Sequence, residues 1–168
     1  MTTPYAEAPA TRPTLLTIIC ILSFLFGIWG VWGGVQSAFT DKPQRDLETT
    51  KAELEKTLAS PEVQGPGAEM VAKMGEQAIA MGEKSVENAK PIGYSSIVLS
   101  IVSLLGVWWM WNLQKKGFWL YTLATVVGLI TPFIFLGGGM MTLLGVGFLA
   151  VISIIFIILY AVNLKHMR

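Results

Sequence analysis

The hydrophobic residues of this chain fall into four long runs, separated by two short turns and by one long polar segment. The runs cover residues 14–38, 91–113, 118–136 and 142–163, and none of them contains Asp, Glu, Lys, Arg or His. A helix of about 20 apolar residues crosses the roughly 30 Å hydrocarbon layer of a bilayer. The pattern therefore predicts four transmembrane helices.

The first run is also where a cleaved signal peptide would lie. The apolar core of a signal peptide is usually about 7–15 residues long, whereas residues 14–38 form a longer uncharged stretch with two tryptophans towards its end. We therefore predict an uncleaved first span, preceded by a short N-terminal tail of residues 1–13.

Residues 39–90 have the opposite character, because they contain most of the charge. Asp41 and Lys42-Pro43 are typical of a helix start, with a capping side chain followed by proline in the first turn. The sequence PEVQGPG at residues 61–67 interrupts the helical pattern. Apolar side chains recur at helical spacing on both sides of this break, which predicts an antiparallel helical hairpin outside the membrane. The residues expected to form the contact between its two helices are Leu47, Leu54, Leu58, Val71, Met74, Ala78 and Met81.

Together these elements predict an all-α, polytopic membrane protein with an extramembrane hairpin between its first two spans. Pro91 lies in the first turn of the second span, where proline is tolerated. Pro132 is expected to kink the third span. Short turns join the last three spans, and residues 164–168 form a basic tail.

Composition agrees with a membrane protein. Hydrophobic residues make up 53% of the chain and charged residues 14%, whereas ordinary globular chains contain about 25% charged residues. No acidic residue follows Glu87, so a soluble fold of residues 91–168 would lack the carboxylates that coat a protein surface. A net charge of +1 gives no indication of a nucleic-acid partner.

The distribution of charge bears on orientation. The turn between the second and third spans and the two termini contain five basic residues and one acidic residue, whereas the hairpin contains seven basic and ten acidic residues. Basic residues in short segments beside the membrane favour the cytoplasmic side, which predicts cytoplasmic termini and a periplasmic hairpin. The raw count of Lys and Arg points the other way. Residues expected to anchor the membrane interface are Trp108, Trp109, Trp111, Lys115, Lys116, Trp119, Tyr160, Lys165 and Arg168.

Small residues recur at spacings of three and four along the first two spans. They are Ser23, Gly27, Gly30 and Gly34 in the first span and Gly93, Ser96, Ser100 and Ser103 in the second. Close backbone approach and interhelical hydrogen bonds drive helix association in lipid, so we predict that these two spans pack tightly as a stem beneath the hairpin. The alternative is that glycine and serine are simply frequent in membrane helices.

The sequence contains no arrangement typical of catalysis, cofactor binding or metal binding. His166 is the only histidine and Cys20 the only cysteine, so a metal site would lack a second strong ligand nearby. Serines and threonines inside the spans are expected to bond to their own helix or to a neighbour. We expect no cofactor, no metal ion and no enzymatic activity.

Three segments resemble a group of small four-span bacterial inner-membrane proteins without an assigned activity. These segments are RPTLLTIICILSF at residues 12–24, LQKKGF at 113–118 and YAVNLK at 160–165. The resemblance implies a bacterial inner-membrane location and transfers no functional residue.

Two functions from different classes fit this architecture. The first is an accessory or structural subunit of a larger inner-membrane complex, whose partners are the lipid bilayer and other membrane proteins or copies of itself. The hairpin contact is then completed by such a partner, or it is closed by the two anchored helices alone. The second is a homo-oligomeric small channel or transporter, for which the serine face of the second span would line the pore. A lipid-modifying enzyme would need a catalytic group that the spans do not contain.

Overall fold

The computed structural model describes residues 13–60 and 67–167, and every regular element in those two stretches is helical. The helices are α1 (Thr14–Phe39), α2 (Lys42–Ala59), α3 (Ala68–Glu87), α4 (Ala89–Trp111), α5 (Lys116–Phe135) and α6 (Met140–Asn163), followed by a 3₁₀ turn at Leu164–His166. The prediction of an all-helical protein is confirmed. Residues 1–12, 61–66 and 168, which include most of the predicted hairpin turn and the anchor Arg168, lie outside the described residues.

Four of these helices, α1, α4, α5 and α6, are long and apolar enough to cross a membrane. Many of their large apolar side chains point away from the protein. Ile134 is 70% exposed and Phe148 is 69% exposed, for example. Such surfaces are solvated by hydrocarbon rather than by water, so the four helices indicate a multi-pass membrane protein.

The spans and the hairpin helices are joined by very short breaks. Only Thr40 and Asp41 separate α1 from α2, and only Asn88 separates α3 from α4. Asp41 lies at the N-cap position of α2 as predicted, but its side chain forms no capping hydrogen bond. The hydroxyl of Thr40 instead accepts a hydrogen bond from the Lys42 amide at 3.2 Å. The side-chain amide of Asn88 donates to the carbonyl of Lys84 at 3.0 Å and to that of Phe135 at 3.4 Å. This contact ties the α3–α4 junction to the end of α5.

The helix α4 lies between α1 and α5 and packs against both, whereas α6 makes fewer contacts with α1, α3 and α5. We call the end of the bundle where α1 leads into α2 the hairpin end, and the end that holds the α4–α5 connection the turn end. The hydrophobic core lies towards the turn end. Its buried members are Leu16, Ile19, Cys20, Val107, Met110, Phe118, Tyr160 and Met167.

Two features close the bundle at the turn end. Leu113 adopts a left-handed conformation, with φ at +59°, and the chain reverses there so that the Gln114 amide bonds to the carbonyl of Trp109 at 2.9 Å. The 3₁₀ turn after α6 brings Met167, which is only 4% exposed, back into the core. The segment predicted as a basic tail is therefore partly folded onto the bundle.

Candidate functional site: helix interfaces and an intramembrane cavity

The helices α1 and α4 form the closest backbone contact of the first two spans at Gly34 and Gly93. A Cβ atom added to Gly93 would lie 2.7 Å from the carbonyl oxygen of Gly34 and 2.6 Å from the amide nitrogen of Ala38. Both distances are shorter than real Cβ contacts. A side chain larger than hydrogen at Gly93 would therefore force the two helices apart.

Polar and apolar side chains continue this contact towards the middle of the membrane. The hydroxyl of Ser96 donates to the carbonyl of Gly30 at 3.3 Å, and the side chain of Ser100 also lies against Gly30. One turn further along α1, Gly27 faces the side chain of Leu104. Six of the eight small residues singled out in the two spans thus contact the opposite helix or line the space beside it: Gly27, Gly30, Gly34, Gly93, Ser96 and Ser100.

The other two small residues have different surroundings. Ser23 accepts a hydrogen bond from the hydroxyl of Tyr160 at 2.8 Å, so its hydroxyl faces α6 as well as the bundle interior. Ser103 lies on the wall of a cavity that α4 shares with three other spans. Ser23 therefore also contacts α6, a contact that was not predicted.

A second close approach joins α4 to α5 through Gly106 and Gly117. A Cβ atom on Gly106 would lie 2.9 Å from the carbonyl of Gly117, and one on Gly117 would lie 2.7 Å from the amide nitrogen of Met110. This contact was not predicted. The signal was available, because the two glycines flank a short turn that places α4 and α5 side by side.

The two hairpin helices also use glycine to approach each other. The side chain of Leu54 lies over Gly75 and that of Leu47 lies over Gly82. Among the other residues expected in this contact, Val71, Ala78 and Met81 are partly buried, whereas Leu58 and Met74 are each 42% exposed. Neither glycine was part of the predicted contact, since a glycine has no side chain to register in an apolar pattern.

The predicted interface anchors at the turn end divide into two groups. Trp108 and Trp119 are 56% and 70% exposed, and the ammonium group of Lys116 lies 5.0 Å from the centre of the Trp109 ring. Lys115 and Lys165 are also exposed. These side chains surround the turn end as a basic and aromatic rim, which is the composition that favours a membrane interface.

Two of the predicted anchors pack against the core: Trp111 is partly buried and Tyr160 is fully buried. The Trp111 ring packs edge-on against Phe24 with the ring centres 6.1 Å apart. Tyr160 has no exposed surface, and its ring packs against Tyr121 at 5.1 Å. The prediction that Tyr160 anchors the interface is wrong, because its hydroxyl finds a partner in Ser23 within the core.

A cavity of about 460 Å³ lies between α1, α4, α5 and α6, on the hairpin side of the core. Aliphatic and aromatic side chains form much of its wall. Hydroxyl groups from all four spans also line it: Ser23, Ser95, Ser96, Ser100, Ser103, Tyr121, Thr125, Thr131 and Ser153. Among the described residues, none of those that form the wall is Asp, Glu, Lys, Arg or His.

These hydroxyl groups differ in whether they already have a partner. Ser95, Thr125 and Thr131 donate to carbonyls of their own helices at 2.8 Å, as expected from the sequence. No hydrogen bond joins Ser100, Ser103 or Ser153 to any described residue. Their donors and acceptors are available to a molecule inside the cavity.

The exposed part of the cavity wall lies on α1 and α6. Among its wall residues, Phe26 of α1 is 62% exposed and Leu149 of α6 is 55% exposed, whereas the others are buried or partly buried. Towards the turn end the Phe26 and Phe156 rings, 6.0 Å apart, hold the two helices together. The cavity therefore opens to the outside of the bundle between Phe26 of α1 and Leu149 of α6.

Comparison with known proteins gives no match to a family model, to a curated protein or to a solved structure.

Proposed function

We propose that this protein is a non-catalytic accessory or structural subunit of a larger bacterial inner-membrane complex, which docks through its spans and through the hairpin α2–α3. The observation that carries the proposal is a line of close helix contacts that continues from the membrane into the hairpin. The facing pairs follow each other in one antiparallel register: Gly27 with Leu104, Gly30 with Ser100, Ala38 with Gly93, Leu47 with Gly82 and Leu54 with Gly75.

This continuity supports a hairpin that is held in a fixed position on the stem formed by α1 and α4. Helices of 18 and 20 residues extend about 27–30 Å at 1.5 Å per residue. A preformed arm of this length loses little conformational entropy when a partner binds it. Such an arm is useful to a subunit that must hold a contact surface at a fixed distance from the bilayer.

The part of the hairpin furthest from the stem supplies an apolar surface for this contact. Met70 is 68% exposed, and Leu58 and Met74 are each 42% exposed. Methionine side chains are flexible and polarisable, which suits them to adaptable protein contacts. Leu47 and Leu54 already close the contact between α2 and α3 by packing over glycine. The exposed side chains of Leu58, Met70 and Met74 are therefore available to a partner protein.

The proposal includes the orientation of the chain. The basic and aromatic rim at the turn end is assigned to the cytoplasmic interface, which supports cytoplasmic termini and a periplasmic hairpin. Lys115 and Lys116 lie in this rim, at the start of α5. The basic residues of the hairpin are interspersed with ten carboxylates.

Purification of the tagged protein from native membranes in mild detergent, followed by mass spectrometry, tests the docking proposal. We expect a reproducible set of larger membrane proteins with the wild type and with Ala80→Leu, which adds a side chain at an exposed position of α3. Gly75→Leu should lose this set, because the new side chain overlaps Leu54 and opens the hairpin. Recovery of the wild type alone, or an unchanged set with Gly75→Leu, would contradict the proposal.

A small channel or transporter is a second candidate, and one observation favours it. Ser96, Ser100 and Ser103, the face expected to line a pore, all lie on the wall of the cavity. The buried side chains of Val107 and Met110 close the bundle towards the turn end, so transport would require the core to open. Flux through reconstituted protein, abolished by Ser100→Leu, would support this candidate, and no flux above that of empty vesicles would reject it.

A further inference from the structure

The cavity has the size and depth of a ligand site within the hydrocarbon layer. Its volume of about 460 Å³ falls within the 300–1,000 Å³ of typical small-molecule sites. Phe26 at its opening lies about 18 Å along α1 from Thr14, at 1.5 Å per residue. Ser100 on its wall lies about 16 Å along α4 from Ala89, so this part of the polar wall lies near the middle of α1 and α4.

The wall contains polar groups that need a partner. A hydroxyl in an apolar medium is costly unless it is hydrogen-bonded, yet Ser103 and Ser153 form no hydrogen bond within the described residues. Pro132 leaves a further acceptor, the carbonyl of Gly128, without its usual donor. Proline has no N–H group that could donate to the carbonyl four residues earlier, and both residues line the cavity.

The same wall limits the chemistry of the ligand. A charge in the cavity would have no countercharge, and an unpaired charge is costly at this depth. Leu99, Leu129 and Ile152 provide apolar surface for a hydrocarbon chain. The Gly128 carbonyl can only accept a hydrogen bond, whereas serine hydroxyls both donate and accept. A ligand with its own hydroxyl groups satisfies both kinds of partner.

The route of entry follows from the opening between α1 and α6. Phe26 and Leu149 stand on either side of it, and both are mostly exposed to the surroundings of the bundle. A molecule dissolved in the bilayer reaches this opening without crossing an aqueous phase. We propose that the cavity binds one uncharged lipid with free hydroxyl groups, of the monoacylglycerol type, which enters laterally between α1 and α6.

Gly128 provides a variant that fills the cavity without disturbing the helices. A Cβ atom at Gly128 meets no other atom within 4 Å, so Gly128→Leu should fold normally and occupy the space of the ligand. Gly145 of α6 is the matched control, because a Cβ atom there also meets nothing within 4 Å and Gly145 does not line the cavity. Elution as a single peak in detergent, as for the wild type, checks that both variants are folded.

Photolabelling in phosphatidylcholine nanodiscs tests the site, with a diazirine-bearing monoacylglycerol as the probe. We expect labelled peptides from the cavity wall in the wild type and in Gly145→Leu, with competition by an excess of unlabelled monoolein. Gly128→Leu should reduce this labelling by about tenfold or more, the factor that corresponds to 1.4 kcal/mol. Undiminished labelling of folded Gly128→Leu would overturn the proposal.

A second photolabelling experiment tests whether the ligand needs hydroxyl groups, rather than whether it needs the volume of the cavity. The diazirine-bearing methyl ester of the same fatty acid lacks hydroxyl groups, and we expect it to label the wall several-fold less than the monoacylglycerol. The double variant Ser103→Ala with Ser153→Ala should bring monoacylglycerol labelling towards the level of the methyl ester. Equal labelling of the wild type by the two probes would overturn the assignment of a hydroxylated lipid. Neither result depends on whether a partner complex is found.

Discussion

At the scale of single residues, the hydroxyl of Tyr160 links the last span to the first. It donates to Ser23 at 2.8 Å, and its ring packs edge-on against Tyr121 within the core. Hydrogen bonds between membrane helices contribute about 0.6 kcal/mol on average and about 1.7 kcal/mol at most. The pair therefore stabilises the otherwise sparse contact between α6 and α1 by a modest amount.

Removal of this hydroxyl should lower stability measurably but not unfold the protein. We expect Tyr160→Phe to reduce the free energy of unfolding by about 0.6–1.7 kcal/mol, measured by unfolding in mixed detergent micelles. Ser23→Ala in the Tyr160→Phe background should add little, because the two residues share one interaction. Tyr94→Phe, at a residue that is 50% exposed, is the control. Fully additive effects of the two core substitutions would contradict the link.

The position of Tyr160 could not be predicted from local sequence. A tyrosine near the end of a span and beside a basic tail has the same local pattern whether it faces the interface or the core. What decides the outcome is a serine 137 positions away. The paired positions of Ser96 and Gly30 were easier to anticipate, since consecutive spans joined by a hairpin must run antiparallel and place both residues at similar depth.

At the scale of elements, backbone contact between α1 and α4 explains how the stem keeps its geometry. Lipid supplies no hydrophobic force that would hold two apolar helices together, so close packing must do so. Gly34 and Gly93 allow this approach, and Ala38 adds a small side chain at the hairpin end. A Cβ atom added to Gly34 or to Gly93 would lie within 3.0 Å of backbone atoms of the facing helix.

A larger side chain at this crossing should separate the helices. We expect Gly93→Leu to lower the free energy of unfolding by at least about 1–3 kcal/mol, the usual cost of overpacking, and to lower Tm in detergent. Gly145→Leu introduces the same side chain in a span of similar length where the Cβ meets open space. Its Tm should stay at the wild-type value. An equal Tm for the two variants would show that the α1–α4 contact does not limit stability.

The start and end of each span were readable from the sequence to a close approximation. Apolar runs of this length leave little freedom, and α4 and α5 each begin two residues before the start expected from the pattern. The contact of α4 with α5 at Gly106 and Gly117 was not predicted. Each helix contributes one glycine to it, so no repeated pattern of small residues marks it in the sequence. The same limit applies to Gly75 and Gly82 in the hairpin.

At the scale of the whole molecule, the bundle is packed unevenly. Leu16, Val107 and Met110 are fully buried at the turn end, whereas a cavity of about 460 Å³ separates the four spans on the hairpin side. Close packing at the turn end fixes the relative positions of the helices. On the hairpin side, the exposed wall residues of α1 and α6 leave the cavity open. A stable base and an accessible cavity are thus provided by different parts of the same four helices.

The cavity could not be predicted from the sequence, because it depends on the divergence of spans that are distant in the chain. Serine hydroxyls at helical spacing along α4 were visible, and their usual role is a bond to the preceding turn. Only the positions of Ser153 and Gly128 on other helices show that Ser103 faces a shared space. The apolar runs, by contrast, are a local property and predict the spans directly.

Thiol labelling at three positions tests the central claim that four helices cross the bilayer. In a Cys20→Ala background, single cysteines are introduced as Lys56→Cys in the hairpin, Lys115→Cys at the turn end and Phe148→Cys on the exposed face of α6. With a membrane-impermeant maleimide added to spheroplasts, the account predicts labelling at position 56, labelling at position 115 only after permeabilisation, and protection at position 148 throughout. Labelling of positions 56 and 115 from the same side, or ready labelling of position 148 in intact membranes, would contradict it.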